Sequence, residues 1–118
     1  MSAYTLVRDL AAEVRIPEHG ILSRPLLDNE STKVVLFSFS RGQELSEHTA
    51  AVPAIMHFLS GQADVVLGGD HLELGAGAWV HMAAGVSHAI RARSDMSMLL
   101  VLLKRAVVPV LGAKLSKQ

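Results

Sequence analysis

From Lys33 onward the chain is divided into apolar runs of five to eight residues by turns that carry glycine. The runs are 33-KVVLFSFS-40, 54-AIMHFLS-60, 62-QADVVLG-68, 70-DHLEL-74, 78-AWVHMA-83, 88-HAIRAR-93 and 96-MSMLLVLL-103. Between them stand Gly42, Gly61, Gly68-Gly69, Gly75 with Gly77, and Gly85. Several short strands with turn signals at this spacing point to a β-sandwich or barrel. Gly68-Gly69 followed by Asp70 is a tight-hairpin signal, because glycine accepts the positive φ that such turns require.

The first thirty or so residues read differently. Leu6, Val7, Leu10, Ala11 and Val14 recur at helical spacing, which predicts a short helix. Pro17, Gly20 and Pro25 then interrupt regularity, and 20-GILSRPLL-27 reads as an edge strand. The tail after Arg105 contains Pro109 and Gly112 and ends in a charged segment expected to be mobile. No repeat, low-complexity tract or linker divides the chain. The expectation is one domain over 1–118, with an arm at 1–32, a barrel core at 33–104 and a tail at 105–118.

Composition narrows the partners. Half of the 118 residues are apolar, only 4% are aromatic, and the mean hydropathy is +0.34. The core is therefore aliphatic, and so much apolar surface on a small domain predicts association, most simply a homodimer. Eleven basic residues balance eleven acidic ones, and with few aromatics to stack on bases no nucleic-acid partner is expected. With no cysteine there is no disulfide framework, thiolate nucleophile or sulfur-ligated metal. The N-terminus MSAYTLVRDLAAEVR lacks the long apolar core of a signal peptide. The longest apolar run, 98-MLLVLL-103, is too short to span a bilayer as a helix. A soluble, cytoplasmic protein with no membrane partner is expected.

The six histidines, His19, His48, His57, His71, His81 and His88, carry the candidate chemistry. Gly42 is followed after five residues by His48, and Gly61 closes that stretch. Gly77 is followed after five residues by Ala83, then Gly85, and His88 stands three residues further on. On these motifs the chain resembles the cupin superfamily, and in particular small single-domain bacterial cupins of the conserved-barrel type. The family's motifs run G-x5-H-x-H-x3/4-E-x6-G and G-x5-P-x-G-x2-H, and the likeness covers roughly Lys33 to Lys104.

The resemblance implies an all-β, cupin-type jelly-roll barrel, and dimers that often exchange N-terminal strands. It also implies an open site for a divalent transition metal (Mn, Fe, Ni or Zn), held by two histidines and a glutamate of the first motif and a histidine of the second. In this chain His48 and His88 keep two of those positions, while Ala50 and Ala54 occupy the other two. Two imidazoles alone rarely hold a divalent ion, since stable sites usually show three or more protein ligands. His57 and His81 are further candidate ligands, although strict alternation turns His57 to the opposite face from Ala54. Glu44 and Glu47 are candidate oxygen donors. His71, beside a hairpin turn, and His19, in an irregular segment, are read as solvated.

Three functions follow. The first is a small-molecule-binding protein with a degenerate metal site and an apolar pocket of Ala50, Ala54, Met56 and Phe58, with His48 and His88 as its polar groups. The second is a metal-dependent enzyme of the dioxygenase or isomerase class with an atypical ligand set. The third is a structural or partner-binding module with a filled barrel. The residues name no substrate and no catalytic group.

Overall fold

The computed structural model describes residues 3–105. One helical turn, α1 (Leu10–Glu13), precedes β1 (Ile21–Asp28), β2 (Thr32–Phe39), β3 (Glu44–His48), β4 (Ala54–Ser60) and β5 (Gln62–Leu67). Then follow β6 (Asp70–Gly75), β7 (Trp79–Met82), β8 (His88–Ala92) and β9 (Met96–Leu103). One antiparallel sheet has the order β1-β2-β9-β4-β7 and the other the order β3-β8-β5-β6. The expected all-β jelly roll is the architecture found.

Alternation along the strands builds the interior between the sheets. In β4, Ala54, Met56 and Phe58 are buried while Ile55, His57 and Leu59 are half-buried. In β8, His88, Ile90 and Ala92 are buried and Arg91 is exposed. Apart from His88, these inward residues join Phe39, Ala63, Val65, Met82, Met96 and Met98 in one apolar cluster drawn from both sheets. Four of the cluster's members are methionines, whose unbranched side chains fill irregular gaps between aliphatic neighbours. Each large apolar side chain fully removed from water there contributes about 1.5–3 kcal/mol.

Two turns show why glycine is needed. Leu67 pairs with Asp70, leaving Gly68 and Gly69 as a two-residue loop with φ of +56° and +94°. Positive φ at both positions suits the right-handed twist of a hairpin. At Gly61, φ is +80° and an added Cβ would lie 2.2 Å from the backbone oxygen of Asp95, so the β4–β5 connection admits no side chain.

The arm differs from its expectation in extent. Helical spacing runs from Leu6 to Val14, yet only Leu10–Glu13 coils, with the Asp9 carboxylate accepting from the Ala11 N–H at 3.1 Å. Val14 is already extended, and Ile16 precedes Pro17, a position that disfavours helix. So short a helix gains little from propagation after its costly nucleation. The edge strand is present as β1, which pairs with β2 of the same chain and bulges between Pro25 and Leu27. Pro25, without an N–H, is tolerated because β1 lies at the sheet edge. Thr5, Val7 and Leu10 line a cleft with Leu26, Leu27, Val34 and Leu99, so the arm lies against its own barrel. The tail expected after Arg105 falls outside the described residues, none of whose helices is long and apolar enough to cross a membrane.

Candidate functional site: a histidine pair at the barrel rim

The strand β3, absent from the runs read in the sequence, sets the site. It pairs with β8 at Glu44↔Arg91, Leu45↔Ile90 and His48↔His88. Three steps along β3 match two along β8, so an extra residue is accommodated at Ser46-Glu47. This bulge turns Leu45 and His48 to the same face despite their odd spacing. That face is the inward one, because Ile90 and His88 are both buried. His48 ends β3 and is exposed, whereas His88 starts β8 and is 4% exposed. The pair therefore stands at the rim, one ring wet and one dry.

The two imidazoles lie 4.2 Å apart, centroid to centroid, tilted by 58°. Each is held by a carbonyl two residues earlier in its own chain segment. Nδ1 of His48 is 2.9 Å from the Ser46 carbonyl oxygen, and Nδ1 of His88 is 3.0 Å from that of Val86. A carbonyl oxygen only accepts, so in the neutral ring each Nδ1 carries the hydrogen and donates it. Each Nε2 is then left with its lone pair. The geometry yields two acceptors side by side.

Behind them, Ser87 Oγ donates to Glu47 Oε2 at 2.6 Å, tying β3 to β8 one residue away from each histidine. That bond employs Glu47 on the far side of the strand from His48. Glu44 is the register neighbour of Arg91, an outward residue. Neither glutamate joins the imidazoles, and among the described residues no three of His, Cys, Asp or Glu are placed to hold a metal ion.

The other expected site residues are distributed as follows. Ala50 lies in the connection after β3, where its carbonyl accepts from the Gly85 N–H at 2.9 Å and joins the loops preceding β4 and β8. Ala54, Met56 and Phe58, at 1%, 0% and 1% exposure, belong to the packed core. His57 and His81 do not meet His48 and His88. On the outer face of the five-stranded sheet, His57 pairs with Trp79 and His81 with Ile55. Strand parity explains this: β4 has no bulge between Ala54 and Phe58, so inward Met56 leaves His57 facing out. His71 is exposed beside the Gly68-Gly69 hairpin, and His19 is exposed in the arm.

The cupin-domain family model matches residues 35–103. This chain belongs to the cupin family. Its fold is similar to that of a conserved protein of unknown function from Streptococcus pyogenes, at 31% identity and a TM-score of 0.78, covering 90% of this chain and 93% of that one. It is also similar to a cupin superfamily protein from Desulfitobacterium hafniense, at 25% identity and a TM-score of 0.77, covering 81% and 88% of the two chains. KdgF from a Halomonas species shares the fold alone, at 20% identity and a TM-score of 0.69 over 78% and 87% of the two chains. No curated protein matches the sequence.

As a cupin, the chain can be tested for the family's metal against its own donors. The first-motif and second-motif histidines, His48 and His88, are register partners with adjacent rings, each with Nδ1 engaged by a carbonyl. The remaining two ligand positions carry the methyl groups of Ala50 and Ala54. Two nitrogen donors without a carboxylate fall short of the three or more protein ligands that stable sites use. The residues do not fit a closed metal centre.

Proposed function

We propose that this cupin binds a small molecule at the rim of its barrel, with His48 and His88 as paired acceptors. The observation that carries the reading is the double tether of the imidazoles, Nδ1 to carbonyl in both, which leaves the Nε2 of each of two adjacent rings free to accept from a ligand. A ligand with adjacent O–H or N–H donors, such as a vicinal diol or a polyhydroxy compound, complements them. Packing of Ala54, Met56 and Phe58 into the core favours a ligand that rests on the rim with its apolar part toward Leu45 and Ala50. An imidazole with a free Nε2 can also take a proton from such a donor, so proton abstraction lies within the chemistry of the pair. The test is a thermal-shift panel of small polyhydroxy compounds and phenols on the native protein and on His48→Ala with His88→Ala. The reading expects a compound that raises Tm only while the histidines are present, and it fails if every shift survives the double change.

The buried apolar cluster between the sheets favours a second reading, a partner-binding module whose barrel takes no ligand. It expects no compound in the panel to act, while the protein still forms specific assemblies. The metal-dependent reading is separated by zinc titration: it requires stoichiometric, tight binding, whereas two imidazoles predict weak binding that Ala50→His with Ala54→Glu strengthens.

We infer also that two copies associate through the outer face of the five-stranded sheet. There Trp79 is 59% exposed beside Ile55, His57 and His81. Exposed apolar sheet surface of this kind usually marks an interface. Light scattering after gel filtration should give a dimer for the native chain and a monomer for Trp79→Glu.

A further inference from the structure

The outer face of the four-stranded sheet gathers arginines that are far apart in the chain. Arg91 points outward from β8, between Glu44 on β3 and Asp64 on β5 in the pairing register, and Arg93 follows it two residues later. Arg41 arrives from the turn after β2. The three side chains, with Gly42, Asp64 and Ala92, line an open cavity of about 320 Å³.

The backbone fixes this meeting. The Gly42 N–H donates to the Ala92 carbonyl at 2.9 Å, and the Ala92 N–H donates to that of Gln43 at 2.8 Å. The Arg41 N–H donates to Asp95 Oδ1 at 2.9 Å. The turn bearing Arg41 is thus fastened to the end of the strand bearing Arg91. Gly42 adds no bulk, and a Cβ built there would meet nothing within 4 Å, so the cavity stays open on that side.

The charges are unequally satisfied. Arg93 is engaged by Glu73 at 3.0 Å and Asp64 at 3.6 Å. Arg41 and Arg91 form no ion pair among the described residues, although Glu44 and Asp64 flank Arg91 in register. Two uncommitted guanidiniums facing one cavity match a ligand of charge about −2 with several acceptor oxygens, the description of a phosphoryl dianion. The planar fork of arginine suits that geometry better than a point charge does.

We propose that this cavity, on the opposite side of β8 from the histidine pair, is a binding site for the phosphate group of a small anionic ligand, held by Arg41 and Arg91. It stands independently of the rim reading, since no residue is shared. Asp64 opposes the anion and limits its affinity, which gives the site a lever in each direction.

The experiment is an NMR titration of the full chain with inorganic phosphate and, separately, glycerol 1-phosphate. It runs at constant ionic strength, at a pH of about 8, above the second pKa of roughly 6 of a phosphomonoester. Saturable shifts of the Gly42 and Ala92 amides are expected. Arg41→Gln and Arg91→Gln should each weaken binding at least about tenfold, the loss of roughly one charge-assisted bond of 1.4 kcal/mol or more. Asp64→Asn should strengthen it several-fold, a gain that a folding defect cannot imitate, and Arg24→Gln on the other sheet should leave it unchanged. Tighter binding of the ester assigns a phosphorylated small molecule, and tighter binding of inorganic phosphate assigns the free oxyanion; either supports the site. Shifts that chloride reproduces, or that persist in Arg41→Gln with Arg91→Gln, overturn it.

Discussion

His48 with His88, and His57 with His81, are both pairs drawn from neighbouring antiparallel strands, on β3–β8 and β4–β7. They differ in register and in face. His48 and His88 are direct partners on the inward side, with rings 4.2 Å apart and each Nδ1 spent on a carbonyl. His57 and His81 are offset, each opposite an apolar residue, Trp79 and Ile55, on the outward side. One residue of bulge at Ser46-Glu47 produces the first arrangement, and the absence of one between Ala54 and Phe58 of β4 produces the second. Histidine content alone says little about a site; the hydrogen bond that fixes the tautomer, and the face, decide what the ring can do.

The face distinction is most easily broken at the neighbours His57 and Phe58. Phe58→Ala should lower stability by about 3–5 kcal/mol, because a fully buried ring leaves a cavity. His57→Ala, one residue away on the outer face, should cost about 0.5 kcal/mol or less. Urea unfolding measures both, and equal losses would mean that the two faces of β4 are not as distinct as described. A smaller effect is expected at the tie behind the histidines. Ser87→Ala removes the bond to Glu47 and should cost about 0.5–1.5 kcal/mol in the same assay. It should also broaden the imidazole resonances of His48 and His88 while leaving those of His57 and His81 sharp.

The smallest effect belongs to a surface tie on the other sheet, where Lys104 Nζ lies 2.5 Å from Asp28 Oδ1. The hydrogen bond from Lys104 is the largest influence and lowers the Asp28 pKa below 3.8; burial opposes it, and the charges of Lys104 and Lys33 add smaller lowering effects. A carboxyl whose pKa is lowered by folding stabilises the fold above its unfolded value, and that contribution is lost as the pH falls through the folded value. Asp28→Asn should therefore make Tm slightly less sensitive to acid below pH 3.8 and change nothing in the rings of His48 and His88. The pair is exposed, so the difference will be slight.

Much of the fold was legible because its signals are local. Alternation in 54-AIMHFLS-60 and the glycines at 61, 68 and 69 mark strands and turns without reference to the rest of the chain. The same parity correctly turned His57 outward. What was not legible depends on long-range pairing. 44-ELSEH-48 has Leu45 as its one apolar residue, too few to announce a strand, and its bulge exists only against β8. The helix expected from Leu6 to Val14 shrank to one turn because apolar spacing there reports contact with the sheet as well as coiling. The arginine cavity escaped for the same reason as β3: Arg41 and Arg91 are fifty residues apart in sequence and meet only through the turn fastened to Ala92. The histidine motifs at 48 and 88 were visible as spacing, whereas their tautomers required the carbonyls of Ser46 and Val86.

The central claim, that His48 and His88 present two Nε2 acceptors on one face, is tested most directly by long-range nitrogen–proton NMR correlation of the neutral imidazoles. The account predicts the Nδ1–H tautomer with a bare Nε2 for both rings, and a nuclear Overhauser contact between them. An Nε2–H tautomer at either ring, or rings too far apart to show that contact, would contradict it.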